Sequence, residues 1–260
     1  MPDVFGDVTV ELGQDFVAEV EIHRPPNNFF DAALIRSIAD AYEALDGGGV
    51  CRAIVLCSEG KHFCAGADFH QESDAAPLPD EGAAALYKAA TRLFRSSLPV
   101  VAAVQGAAIG GGLGVACSAD FRVGAPESRF SANFARLGFH QGFGLTVTMP
   151  LILGHQRALE LLYTGRRIGG EEAERIGLVD RLVPLADLRA EARKLAAEIA
   201  GSAPLAVKSI KETMRGHLVD LVDEATTRED AEQIRLRTTE DFAEGTKASF
   251  ERREPDFKGK

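Results

Sequence analysis

The sequence predicts an α/β fold with a helical C-terminal region. Two short apolar runs, Arg52–Cys57 and Val100–Val104, have the length and composition of buried strands, and a helical pattern between them runs from about residue 81 to 96. Such alternation favours parallel βα units joined by right-handed crossovers. The chain is charged and periodic from about Leu218 to Phe250, which is typical of exposed helices. We therefore expect a core over residues 1–200 and a helical region over residues 201–260.

The first elements are predicted to be a hairpin and a helix. Val8–Glu11 and Phe16–Ile22 flank a short Gly-containing turn, as paired strands do. The loop His23–Asn28 contains two prolines, which exclude a helix there. Asp31 can cap a helix that extends to about Leu45, because apolar residues recur on one face of that segment.

Later elements follow the same reasoning. The segment at residues 73–81, rich in Asp, Ala and Pro, is expected to be the most mobile part of the chain. Leu113–Ala119 is predicted to be a buried helix of small residues, and Ser131–Gly144 an irregular segment. The remaining predicted elements are a helix at 171–176, a strand at 179–183, a helix at 185–200 and a helix that starts at Pro204.

Composition excludes several classes of function. The chain has 260 residues, a net charge of −10 and a pI of about 5.2, which argues against binding nucleic acid or an anionic membrane surface. No apolar run reaches the roughly 20 residues that a membrane span needs, and the first residues do not resemble a secretory signal. The four cysteines lack metal-site or disulfide spacing. We therefore expect a cytoplasmic protein with free thiols and no metal.

The stretch Val104–Asp120 is the most distinctive part of the chain. It contains Gly106 and the run Gly110–Gly112, followed by small apolar residues, and it carries no polar catalytic side chain. The spacing fits neither a dinucleotide fingerprint nor a P-loop. Two interpretations remain: a tight turn before a packed helix, or a helix start whose unpaired backbone N–H groups hold an oxygen as it becomes negative.

Motifs along the whole chain resemble the crotonase (enoyl-CoA hydratase/isomerase) superfamily. Gly60–Phe69 has the family's Phe-x-Ala-Gly-x-Asp pattern, and Gln105–Gly112 resembles its second segment. Weaker matches lie at residues 23–28, 119–122, 164–168, 177–179 and 250–258. The resemblance implies a ββα spiral core, a C-terminal trimerisation region, and homotrimers that often pair into hexamers.

The resemblance also implies a substrate and a chemistry. Relatives act on acyl-CoA thioesters, with coenzyme A as part of the substrate and no permanently bound cofactor. The backbone N–H groups of Ala67 and Gly111 are then expected to hold the thioester oxygen while an enolate forms. The residues expected to contact substrate or coenzyme A are Arg24, Pro26, Ala65, Asp68, Phe69, His70, Gly112, Phe134, Phe143 and Lys258.

The chain departs from the family where hydratases carry two glutamates. Aligned motifs place Gly114 and Phe134 at those positions, and neither side chain can move a proton. Ordinary two-glutamate hydration is therefore not expected. His140 is the first candidate to replace them, with a surface or core-bonded histidine as the alternative. His70, Glu72 and Tyr87 are weaker candidates.

Several functions stay open at this point. Decarboxylation, thioester hydrolysis and double-bond migration share an oxyanion and do not need two glutamates. A catalytically silent acyl-CoA-binding subunit would keep the two amides for binding alone. A hydrolase of carbon–carbon bonds on the same fold would not need coenzyme A.

Overall fold

The main sheet has the parallel core that the sequence predicts. The computed structural model describes residues 3–68 and 80–260. Its larger sheet has the order β1-β2-β3-β4-β5-β7-β10, antiparallel in the first two pairings and parallel from β3 onward. The smaller sheet has the order β6-β8-β9. The strands are β1 (Val4–Phe5), β2 (Val8–Leu12), β3 (Val17–Ile22), β4 (Ala53–Ser58), β5 (Val100–Val104), β6 (Ala107–Ile109), β7 (Phe121–Gly124), β8 (Arg129–Ser131), β9 (Ile168–Gly169) and β10 (Arg181–Leu182).

Helices pack on the larger sheet and extend past it at the C-terminal end. They are α1 (Ala32–Gly48), α2 (Asp80–Leu93), α3 (Gly111–Ser118), α4 (Leu145–Leu153), α5 (His155–Thr164), α6 (Gly170–Arg175), α7 (Leu188–Ala200), α8 (Pro204–Arg215), α9 (Leu218–Leu236) and α10 (Glu240–Glu251). None of the helices in the described ranges is long and apolar enough to span a lipid bilayer.

The predicted hairpin and first helix are present. Strands β2 and β3 pair in antiparallel register, with Val10 opposite Val20. Asp31 caps α1, because its Oδ1 accepts a hydrogen bond of 2.8 Å from the Leu34 N–H. Helix α1 continues beyond Leu45 and ends at Gly49, which adopts the left-handed conformation with φ of 70°.

The smaller sheet was not predicted, and it positions the glycine-rich stretch. Strand β6 pairs with β8, and Cys64 forms a parallel bridge with Ala108. The Cys64 N–H donates to the Ala107 O (2.9 Å), and the Ile109 N–H donates to the Cys64 O (3.1 Å). These bonds hold residues 64–68 beside residues 109–112. The irregular segment predicted at 131–144 contains a 3-10 helix, Asn133–Leu137.

The C-terminal helices pack onto the rest of this chain. Thr239 separates α9 from α10 and caps α10 by accepting a bond from the Phe242 N–H (3.1 Å). Helix α9 contacts α2 and α4, and its Glu229 is fully buried against the start of α4. The domain boundary near residue 200 and the trimerisation role of this region stay predictions.

Candidate active site

A large cavity lies beside the glycine-rich stretch. Its volume is about 1650 Å³, and both Ala67 and Gly111 line it. Its lining includes basic side chains, and these are Arg24, Arg36, Lys61, Arg129 and Arg167. The lining also includes apolar side chains, and these are Phe30, Leu86, Phe134, Leu137, Phe139 and Phe143. The cavity can therefore accept a ligand that carries both anionic and apolar groups.

The backbone N–H groups of Ala67 and Gly111 are open to a ligand in the described structure. Gly111 is the first residue of α3, so its N–H has no hydrogen-bond acceptor within the helix. Within residues 3–68 and 80–260, no protein acceptor is bonded to either amide. The bonds between Cys64 and β6 keep the two segments adjacent. This arrangement offers two backbone donors on a shared cavity wall.

Close packing explains the glycines at positions 111 and 112. A Cβ at Gly111 would lie 2.2 Å from Cζ of Phe30, and a Cβ at Gly112 would lie 2.2 Å from the Cys64 O. Gly112 therefore serves packing and is not among the described residues that line the cavity. The tight turn and the unbonded amides occur together, so the two interpretations of this stretch are compatible.

Phe143 fills the space beside Gly114. A Cβ at Gly114 would lie 2.5 Å from the Cβ of Phe143, which itself adopts φ of 62°. The Phe143 ring packs edge-on against Phe30, with ring centroids 5.7 Å apart. Phe134, at the other position where the family resemblance implies a glutamate, packs against Phe139 with ring centroids 5.4 Å apart. An apolar wall thus replaces both expected carboxylates.

The residues expected to contact coenzyme A divide into two groups. Arg24 lines the cavity and is held by Asp7 (2.6 Å) and Asp31 (2.9 Å). Ala65 and Asp68 also line it, as do Phe134 and Phe143. Pro26 and Lys258 are not among the described lining residues, and Lys258 pairs with Asp256 at 2.7 Å. Phe69, His70 and Glu72 lie outside the described residues, as does most of the segment predicted to be mobile.

From the sequence we expected His140 to line the cavity, but it does not. Among the described residues it is absent from the lining, although its neighbour Phe139 is present. Its ring Nδ1 lies 2.8 Å from the Gln141 O, and its own carbonyl accepts a bond from Gln233 Nε2 (2.9 Å). The backbone turn after Phe139 therefore holds the imidazole against its own loop.

Elements distant in sequence supply further polar groups to the cavity. Gln233 of α9 and Arg237, which directly follows α9, line it and were not candidates from sequence; the Arg237 guanidinium carbon lies 5.6 Å from the Phe139 ring centroid. Tyr87 from α2, a weaker candidate from sequence, also lines it and is only 8% exposed. The charged periodicity of α9 indicated an exposed helix, so no local signal marked the two residues that it turns toward the cavity.

His62 also lines the cavity, and it was not among the candidates from sequence. Its Nδ1 accepts a bond from the Ala107 N–H (3.1 Å), which needs the neutral ring. Burial, together with the positive charges of Lys61 and Arg129, lowers the pKa of His62 below its usual value.

The His62 bond predicts a sensitivity to acid. Because the folded-state pKa is below the unfolded value, the stabilisation is present at neutral pH and is lost as the pH falls through the folded-state pKa. His62→Asn keeps an acceptor near Nδ1 but cannot titrate. Between about pH 7.5 and about pH 5, the wild type should lose up to ~1 kcal/mol more unfolding free energy than this variant. Urea denaturation at both pH values measures the difference, and equal losses would contradict the assignment.

No group of three or more His, Cys, Asp or Glu side chains in residues 3–68 and 80–260 is arranged to hold a metal ion. All four cysteines are buried and unpaired, as expected from their spacing. Burial raises the pKa of the Cys64 thiol to about 12, so this thiol stays protonated at neutral pH.

Comparisons with known proteins agree with the fold and the motifs. The enoyl-CoA hydratase/isomerase family model matches residues 13–260. The carnitinyl-CoA dehydratase of Escherichia coli strain K12 is 34% identical over 250 residues, which cover 94% of this chain and 95% of that protein.

Solved structures agree as well. An enoyl-CoA hydratase/isomerase from Pseudoalteromonas atlantica T6c superposes with a TM-score of 0.85 at 29% identity, over 97% of this chain and 100% of that one. The enoyl-CoA hydratase from Bacillus anthracis gives a TM-score of 0.77 at 30% identity, over 98% of this chain and 100% of that one. With its motifs, its mixed α/β architecture and this match over nearly the whole length, the chain belongs to the enoyl-CoA hydratase/isomerase family.

Proposed function

We propose that the protein is an enzyme that acts on an acyl-CoA thioester and stabilises its carbonyl oxygen with the N–H groups of Ala67 and Gly111. The observation that carries this proposal is the pair of unbonded amides on one cavity wall. Backbone donors held in place before reaction stabilise a developing oxyanion without reorganising, and each is worth about 10²–10³ in rate. The likeness to carnitinyl-CoA dehydratase and enoyl-CoA hydratases supports a thioester substrate.

The cavity offers both basic and apolar side chains, which suit the two parts of such a substrate. Arg36, Lys61, Arg129 and Arg167 offer positive charge to the diphosphate and 3′-phosphate of coenzyme A. The phenylalanine wall offers an apolar surface to the acyl group. Ala67 and Gly111, which carry the two amides, line the same cavity.

The wall beside Gly114 favours some reactions over others. Hydration in this family needs carboxylates to activate water and deliver a proton, and Phe143 occupies the space where one of them would project. Reactions that pass through an enolate without an added water fit this apolar wall better. We therefore propose decarboxylation or double-bond migration ahead of thioester hydrolysis, and ahead of two-glutamate hydration.

A panel of enoyl-, malonyl- and aryl-CoA thioesters tests the proposal. Purified protein should bind coenzyme A thioesters in calorimetry and should convert at least one of them, with products identified by mass spectrometry. Free acids that lack coenzyme A should bind at least 10²-fold more weakly, because the basic side chains then have no phosphate to contact. Turnover of a free ketone without coenzyme A binding would instead favour a carbon–carbon bond hydrolase.

A silent acyl-CoA-binding subunit is the second candidate. The apolar residues at positions 114 and 134 favour it, because a chain that had lost its acid and base could keep the amides for binding alone. Tight binding of every thioester with no product would support this candidate over the enzyme. From the resemblance we also propose a homotrimer or a dimer of trimers, which sedimentation equilibrium can test.

A further inference from the structure

The hydroxyl of Tyr87 lies at the cavity wall. Tyr87 projects from α2 and lines the cavity, and its side chain is largely buried. A Cβ at Gly142 would lie 2.4 Å from Tyr87 Oη, so the hydroxyl is in contact with the Gly142 backbone. Gly142 lines the same cavity. The phenol oxygen is thus close to the cavity surface and not deep among the helices.

The hydroxyl lies next to the residue that takes the place of the family's carboxylate. Tyr87 Oη contacts Gly142, which directly precedes Phe143, and Phe143 fills the space beside Gly114. A phenol O–H can donate its proton to an acceptor in the cavity. A phenol therefore stands at the part of the wall from which a glutamate would otherwise reach the substrate.

We propose that Tyr87 is the proton donor to the α-carbon of the enolate. This inference rests on the proposed function. In the step, the enolate electron pair forms a C–H bond with the hydroxyl proton, the C–O bond regains its double-bond character, and the O–H bond electrons stay on Tyr87. Water in the cavity then returns a proton to the resulting phenolate and leaves as hydroxide, which the buffer neutralises.

The surroundings keep the phenol in its acidic form before this step. Burial raises the pKa of Tyr87, as do the nearby carboxylates of Glu229 and Asp230, while the charge of Arg237 opposes them. The donor is consequently protonated throughout the neutral range. A weak acid of this kind suits a strongly basic carbanion, which does not need a strong acid to accept a proton.

Tyr87→Phe removes the hydroxyl and keeps the ring. With the thioester that the wild type converts best, this variant should lower kcat by about 10²-fold or more and change KM by less than about 3-fold. Tyr163→Phe is the matched control, since Tyr163 is 74% exposed and should leave both constants unchanged. The unfolding free energy of each variant, measured in urea, separates loss of the proton donor from loss of the fold.

The outcomes distinguish this inference from the proposed function. A loss of kcat in Tyr87→Phe with wild-type stability and wild-type thioester binding supports the proton donor. Equal kcat in Tyr87→Phe and wild type overturns it and leaves the proposed function intact. A loss of kcat in His140→Ala but not in Tyr87→Phe also overturns it. Absence of turnover of every thioester by wild-type protein overturns the proposed reaction and the role of Tyr87 together.

Discussion

Replacing Gly111 with alanine should lower kcat for a thioester substrate by about 10²-fold, with a smaller change in KM. The new Cβ would lie 2.2 Å from Cζ and 2.4 Å from Cε1 of Phe30, so either the ring or the start of α3 must move. The ring is restrained by its contact with Phe143. The Gly111 N–H then shifts away from the position that meets the oxyanion, and steady-state kinetics with the converted thioester measures the loss.

Two further variants test whether the collision with Phe30 causes the loss of kcat. Phe30→Leu combined with Gly111→Ala removes the ring that the new methyl meets, and it should recover a large part of kcat. Gly47→Ala is the control for a helical glycine, because its added Cβ would meet no atom within 4 Å beyond its chain neighbours and the local backbone of its own helix. Full activity in Gly111→Ala alone would show that the position of this amide does not matter for the reaction.

Glu229→Gln should lower the unfolding free energy by about 3 kcal/mol. The fully buried carboxylate accepts bonds from the Gly144 N–H (2.9 Å), the Thr146 N–H (3.1 Å) and the Thr146 Oγ1 (2.6 Å). A glutamine amide would place its own N–H groups against one of these donors. For a chain of this size, the loss corresponds to a Tm lower by roughly 6–12 °C, which calorimetry can measure.

Glu229→Gln should also weaken ligand binding in the cavity. Its bonds fix the backbone at Gly144, directly after Phe143, so the thioester affinity of Glu229→Gln should fall together with its stability. Glu224→Gln lies on the same helix, at an exposed position, and should change stability by less than about 0.5 kcal/mol. Equal stability of the two variants would remove the proposed link between α9 and the cavity wall.

Local patterns in the sequence account for much of the fold. Continuous apolar runs predicted β4 and β5, whose residues are all buried. Asp31 was predicted to cap α1, and it does. The motifs at residues 60–69 and 105–112 predicted the family, which the comparisons confirm. These features depend on residues close together in the chain, where periodicity and capping chemistry carry the signal.

Features that depend on distant residues could not be predicted in the same way. Strand β9 has two residues and β6 has three, too few for an alternating pattern to appear. The contact between Gly114 and Phe143 joins two residues that no spacing rule connects. His140 carried suitable chemistry, but the path of its backbone directs the ring to the Gln141 carbonyl. The chemistry of a side chain therefore indicated which residues were candidates, and tertiary packing decided which of them lie at the cavity.

The fit between Gly114 and Phe143 constrains how this chain could acquire hydratase chemistry. A glutamate introduced at position 114 would collide with the β-carbon of Phe143, so the single change should be lost through misfolding before it could be tested for a new reaction. A smaller residue at position 143 must come first, and that change alone opens a void and offers no acid or base. The order of substitutions is thus restricted, because the change at position 143 has to precede a glutamate at position 114.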